Sequence, residues 1–243
     1  NAHGCSGQLT CNTAGNGTVC DAPSCTNGGL LISELAGCGF SAATPGETEG
    51  TNEFIELYNS SNMTVDIGGA ALWYRPATGP NAPILLVTFP TGTQVPPRKY
   101  LLIGKRPGAS GSPGYIGPPA ADFIYSAVDM SGSPSAGGQI WLTESALVPS
   151  APSDPHVVDM VGWGSANVFE GSGAAVAHPP TGGSIERKAR VTSTGWDGAI
   201  DLGSMGPGGG DALAGNGYDS NNNASNFVQR QVRDPQNSQS AAE

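Results

Sequence analysis

Glycine and proline interrupt this chain so often that long helices are ruled out. Its 243 residues include 37 Gly and 20 Pro, and both are poorly tolerated inside a helix. Between the breaks lie short runs of Val, Ile, Leu, Phe and Tyr, the residues that fit strands. The glycines follow no collagen-like three-residue period. Charged residues make up 12% of the chain against 37% hydrophobic ones, which is not the apolar-poor, highly charged composition of a disordered protein. No apolar run approaches the length of a membrane-spanning helix. The fold expected is therefore all-β, with many short strands and turn signals between them, as in a β-sandwich.

Strands are expected at 30–35, 54–59, 70–74, 84–89, 100–104, 123–127, 139–143, 157–162, 184–188 and 227–229. Period-two alternation is clearest over Glu53, Phe54, Ile55, Glu56, Leu57 and Tyr58, and again over Ser184, Ile185, Glu186 and Arg187. Ile84, Leu85, Leu86 and Val87 form an unbroken apolar run, read as buried on both faces. The Gly/Pro/Ser loops between strands are long, and such loops are a common place for binding. Four N-x-S/T sequons, at Asn16, Asn59, Asn62 and Asn223, serve as hints of surface position.

The first 28 residues have a different texture. They are small and polar, with Leu9 and Val19 as the only sizeable aliphatic side chains, too few to bury enough area to order the segment. All five cysteines, Cys5, Cys11, Cys20, Cys25 and Cys38, lie in the first 38 residues. Their spacing fits no zinc pattern, so a local disulfide framework is expected. Two bridges leave one cysteine over, either a buried thiol such as Cys38 or a link to another chain. Three domains follow: a Cys-rich arm over 1–28, a sandwich over 29–238 and a polar C-terminal tail over 239–243. The chain opens at Asn1 with neither Met nor an apolar leader, as a secreted chain does once its signal is removed. A free terminus at Asn1, Ala2 and His3 would offer four nitrogens in a square plane suited to Cu(II) or Ni(II).

Ile32-Ser33-Glu34, then Glu53 to Asn59 (E-F-I-E-L-Y-N), then Val65-Asp66-Ile67-Gly68-Gly69 resemble the opening of a lamin tail domain. Gly92-Thr93, Tyr100 to Ile103, Val158 to Gly164, Ser184 to Arg187 and Asp219 to Phe227 follow in that family's order. The resemblance covers roughly residues 29–237 and leaves the arm unexplained. It implies an immunoglobulin-like sandwich of the kind found in bacterial extracellular accessory and surface modules, some attached to secreted nucleases and other hydrolases. The chain departs from the pattern at Ala70-Ala71, where the family places an aromatic, and at Asn221 and Asn226, where acidic residues are expected. Asp219, Asn221 and Asn223 have the alternating spacing of a calcium loop but lack the glycine and terminal Glu of an EF-hand. Asx turns capping a tight bend are the competing reading.

No catalytic pattern emerges. The histidines are His3, His156 and His178, and there is no nucleophile elbow, metalloprotease helix or phosphate loop. Glu53 and Glu56, three positions apart on a strand, face opposite sides and make no acid–base pair; Glu56 is read as a partly buried acid bonded to a turn. A net charge of −10 argues against nucleic acid. The expectation is a secreted, non-enzymatic structural protein, a subunit of an extracellular filament or surface array, whose arm adds a strand to a neighbouring copy. The competing class is an adhesion module that binds a cell-surface glycan through Trp73, Tyr74, Trp141, Trp163 or Trp196. An accessory domain of a secreted hydrolase ranks third.

Overall fold

The computed structural model describes all residues except 1–7, 12–17, 22–28, 38–52, 78–81, 108–113, 127, 131–136, 177–182 and 199–201, and only the backbone of 8–11 and 18–21. Two sheets make the body. The larger has six strands in the order β10-β9-β4-β3-β13-β14, formed by β3 (Leu30–Ala36), β4 (Phe54–Asn59), β9 (Tyr100–Lys105), β10 (Phe123–Tyr125), β13 (Ser184–Arg187) and β14 (Phe227–Arg230). The smaller has the order β12-β11-β6-β7, from β6 (Ala71–Pro76), β7 (Ile84–Thr88), β11 (Gly137–Thr143) and β12 (Val157–Gly164). All pairs are antiparallel except β9 with β10. The protein is thus an all-β sandwich, and each of the ten expected strands is present.

The core follows from the alternation. Ile55 and Leu57 of β4, Leu101 and Ile103 of β9 and Ile185 of β13 meet Leu72 and Tyr74 of β6, Ile140 and Leu142 of β11 and Val161 and Trp163 of β12. Gly138 of β11 lies beneath the Trp163 ring, where a Cβ would come within 2.5 Å of it, so the position must stay bare for the ring to pack.

Five further elements were not visible in the sequence. β1 (Gln8–Cys11) and β2 (Thr18–Asp21) form an antiparallel hairpin within the arm, a two-stranded sheet of its own. The two-residue strands β5 (Val65–Asp66) and β8 (Gln94–Val95) pair with each other. A single helical turn, α1 (Asn223–Asn226), leads into β14.

The run Ile84 to Val87 is not buried on both faces. β7 is an edge strand; Ile84 is 44% and Leu85 41% exposed, and only Leu86 is buried. Leu86 is the extra residue of a bulge, since Leu72 pairs with Val87 and Trp73 with Leu85. The bulge turns the Leu86 carbonyl outward, where the Ser126 N–H just after β10 donates to it at 3.1 Å. One end of the sandwich is stitched shut this way.

The β12 edge is also covered. Gly162 O accepts from Ala175 N–H at 2.7 Å. The Asn223 side chain imitates a strand: its Oδ1 accepts from Gly162 N–H at 2.9 Å and its Nδ2 donates to Met160 O at 2.9 Å. At the far edge of the larger sheet, Trp196 N–H donates to Gln229 O of β14 at 2.8 Å.

Candidate functional site

Two buried clusters of charged side chains stand out, one on each face of the six-stranded sheet. On the outer face, Glu56 of β4 pairs directly with Glu34 of β3, and Glu34 with Glu186 of β13. Three carboxyl groups thus stand in a row across three strands. Period two alone points them away from the core, yet all three are buried.

Residues 234–243 cover the row as a strap. Asp234 N–H donates to Glu34 Oε1 at 3.3 Å, and Gln236 N–H donates to Glu56 Oε2. Ser238 N–H bonds Asp122 at 2.9 Å, Tyr58 donates to the Glu243 backbone oxygen at 2.6 Å, and Tyr100 donates to Glu243 Oε2 at 2.8 Å. Residues 239–243, read as a tail, are held against the sandwich by these contacts and by Lys99, which donates to Ser240 O.

Each glutamate also has side-chain partners. Ser33 donates to Glu56 and Ser184 to Glu34, while Glu186 takes Arg230 and, at 2.8 Å, Asn216 Nδ2. Burial raises the Glu34 carboxyl, with Arg230 opposing. Burial, reinforced by the Glu34 charge, holds Glu56 well above the usual carboxylate range. Glu56 is therefore fully rather than partly buried, and its partners are a β3 serine and the strap rather than a turn. Burial thus disfavours the charged form of both paired carboxyls. With its open side closed by the strap, the row supplies carboxyl acceptors to the strap's backbone N–H groups.

The second cluster lies between the sheets. Arg187 of β13 donates through Nη2 to Asp159 Oδ2 of β12 at 2.7 Å, and both side chains are at most 1% exposed. Arg187 Nε donates to Ile32 O at 2.9 Å, and Ile32 N–H donates to Asp159 Oδ2 at 2.6 Å. The pair takes over both backbone groups of Ile32, next to the β3 bulge where the ladder to β13 stops. The guanidinium also reaches Asp219 Oδ1 at 3.2 Å and sits 4.6 Å from the Phe227 ring centroid. Burial pushes Asp159 up to about 6 and Arg187 pulls against it, leaving the carboxyl ionised at pH 7. Burial, reinforced by the Asp159 charge, pushes the half-buried Glu170 up to about 8.

The Asp219, Asn221, Asn223 trio belongs to this cluster. Asp219 Oδ1 accepts from Arg187, from Asn221 N–H at 3.0 Å and from Asn226 Nδ2 at 2.8 Å, which is an Asx turn. Asn223 is turned onto β12. Among the described residues no group of three or more His, Cys, Asp or Glu is placed to hold a metal ion.

Other expected positions are less concentrated. Trp73, Tyr74, Trp141 and Trp163 are buried packing residues rather than stacking platforms, and Trp196 is half-buried. Asn59 and Asn223 are fully buried, Asn59 Nδ2 bonding the carbonyls of Met63, Val95 and Pro96, so these two sequons do not mark surface. Asn62 is exposed. His156 faces Glu144 at 3.0 Å on the surface. Cys11 and Cys20 lie on β1 and β2, opposite Thr18 and Leu9. Asn1, Ala2, His3, Cys5, Asn16, Cys25, Cys38 and His178 lie outside the described residues.

Glu53 and Glu56 are on opposite faces of the larger sheet, as their spacing requires. Sequence reasoning missed the glutamate row because its cover comes from a segment some 180–200 positions away. The available signal was a glutamate at an outward position in each of three strands, in a chain with few charges.

No family model matches the chain, and no curated protein matches it. Among solved structures it is similar to a DUF4876 family protein from Bacteroides thetaiotaomicron, with a TM-score of 0.50 and 14% identity. The match covers 89% of this chain and 74% of that one, a likeness of fold.

Proposed function

We propose that the chain is a secreted structural protein without catalytic activity, a subunit of an extracellular filament or surface array whose N-terminal hairpin joins the sheet of a neighbouring copy. The observation that carries this reading is the hairpin's isolation: β1 and β2 pair with each other and with no strand of the sandwich. Each therefore has an edge free for another sheet among the described residues. A receiving edge is available on β7, where Ile84 and Leu85 are exposed. The open part of that edge is the stretch at Ile84 and Leu85, since the Leu86 carbonyl is taken by Ser126. Strand addition draws affinity from backbone hydrogen bonds, so it suits a segment poor in apolar side chains. A contact between two different surfaces propagates unless it closes into a ring. The lamin-tail resemblance supports this reading, since such domains occur in bacterial extracellular surface modules.

The test compares the wild type, a variant lacking residues 1–28 and Leu85→Lys by electron microscopy and size exclusion. Ordered polymers of the wild type and folded monomers of both variants are expected. Wild-type protein that stays monomeric, or polymers that persist without the arm, would remove the basis for the proposal.

A further inference from the structure

A third group of titratable side chains sits at the rim of the core face, apart from both clusters above. Lys105, the last residue of β9, donates its N–H to Glu53 O at 3.0 Å. That bond extends the β4–β9 register by one step, and Lys105 pairs on its other side with Tyr125 of β10. Glu53, Lys105 and Tyr125 thus stand side by side on one face, and such neighbours lie about 5 Å apart at Cβ. It is the core face, because Glu53 and Lys105 are each two positions from Ile55 and Ile103.

The Lys105 side chain is 1% exposed and reaches Asp129 Oδ1, whose side chain is 63% exposed. Glu53 is fully buried. Its Oε1 accepts from the Tyr125 hydroxyl and from Met130 N–H, while its Oε2 has no hydrogen-bond partner. Burial pushes the Glu53 carboxyl up to about 7, with Lys105 lowering it and Asp129 raising it. At that value it takes up and releases a proton readily near neutrality.

We propose that Lys105 and Asp129 join covalently through a self-formed amide between Nζ and Cγ, with Glu53 carrying the protons. This goes beyond the assembly reading and does not depend on it. Glu53 accepts a proton from the Lys105 ammonium and passes it to the Asp129 carboxylate, leaving a neutral amine beside a neutral acid. The amine lone pair attacks Asp129 Cγ, forming the C–N bond. Glu53 then moves a second proton from that nitrogen to the departing hydroxyl, the C–O bond breaks and water leaves. Ammonium plus carboxylate become amide plus water, with no oxidant and no change in total charge. The exposed side of Asp129 gives the water its exit. The reaction also replaces a buried ammonium, costly to keep dry, by an uncharged group. The product ties the end of β9 to the segment after β10 across a sequence separation of 24, restricting the unfolded chain as a disulfide does but without sensitivity to reduction.

The test is the intact mass of the reduced, denatured wild type, followed by peptide mapping. The expected mass is that of the sequence less one water, with the loss placed on a branched peptide joining Lys105 to Asp129. Lys105→Arg and Asp129→Ala should each restore the full mass. Glu53→Gln should fold and also show the full mass, an outcome that a merely packing role for Glu53 would not produce. Wild-type protein at full sequence mass, or a water loss located elsewhere, overturns the proposal whether or not the variants fold.

Discussion

Replacing Arg187 with Met keeps an unbranched side chain against the Phe227 ring but removes the guanidinium that bonds Ile32, Asp159, Asp219 and Tyr218. Two losses dominate. The Ile32 carbonyl is left buried without its donor, which costs about 1–3 kcal/mol. Asp159, held at about 6 with Arg187 present, loses its counter-charge and takes up a proton; at pH 7 that step costs about 1.4 kcal/mol. The sum of about 2–4 kcal/mol overlaps the about 3–5 kcal/mol typical of a broken buried pair. The second part depends on pH. In the variant the folded carboxyl binds its proton more tightly than in the wild type, so its stability falls relative to wild type as pH rises through about 6, and the deficit narrows at about pH 5.

A second substitution probes the same geometry. Asp159→Asn in the Arg187→Met background supplies an acceptor for Ile32 N–H and a donor for Ile32 O, the double contact that Asn223 already makes with Gly162 and Met160. About 2 kcal/mol should return, whereas Asp159→Asn alone strands the Arg187 charge and destabilises. Urea unfolding of the four proteins at the two pH values closes the cycle. A double variant less stable than both single ones, or an Arg187→Met deficit identical at both pH values, would refute this account of the staple.

Three other perturbations test the covers of the sandwich. Glu56→Gln should raise the melting temperature at pH 8 and leave it unchanged at pH 4. The raised Glu56 carboxyl contributes stability below the unfolded pKa that is lost as pH rises toward the folded one, and glutamine has nothing to lose. A variant that is less stable at both pH values would contradict the reading of the row. Asn223→Ala orphans Gly162 N–H and Met160 O, and urea unfolding should report a loss of about 2 kcal/mol or more. Gly138→Val drives a side chain into the Trp163 ring and should cost about 1–3 kcal/mol, with a shift in near-ultraviolet circular dichroism.

What the sequence shows and hides divides along one line. All ten longer strands of the body were legible, because each combines apolar alternation or a short apolar run with turn residues at its ends. β5 and β8 are two residues each, too short for any period to register. In β1 and β2, Gln8-Leu9-Thr10-Cys11 and Thr18-Val19-Cys20-Asp21 do alternate, but the scarcity of apolar residues around them hid the hairpin. β7 was misjudged because an apolar run says nothing of whether a neighbour lies on both sides; the bulge at Leu86 and the edge position decide that. Alternation separates Glu53 from Glu56, but the burial of Glu34 and Glu56 involves contacts with the distant strap. Arg187 and Asp159 were visible within resembling blocks, yet their pairing across the sheets depends on Ile32 losing its ladder, a tertiary matter.

The closures bear on how a sandwich of this kind avoids uncontrolled pairing. Asn223 and Ala175 seal β12, Trp196 caps β14, and Ser126 engages the bulge of β7. Unpaired edges recruit other strands without discrimination, so closing most of them leaves few places where a second copy can add. The part of β7 around Ile84 and Leu85 is apolar and exposed, while the hairpin is polar and lacks a ladder of its own beyond two strands. Under the proposed assembly the two surfaces differ, and that asymmetry favours a directional, heterologous contact over a symmetric one. Leu85→Lys acts on one surface only. Mixed with wild type it should therefore cap growing polymers at one end, with their mean length in electron micrographs falling as the variant fraction rises. A symmetric contact would instead show dimers and no length dependence, and that result would count against the hairpin-to-edge arrangement even if assembly itself were confirmed.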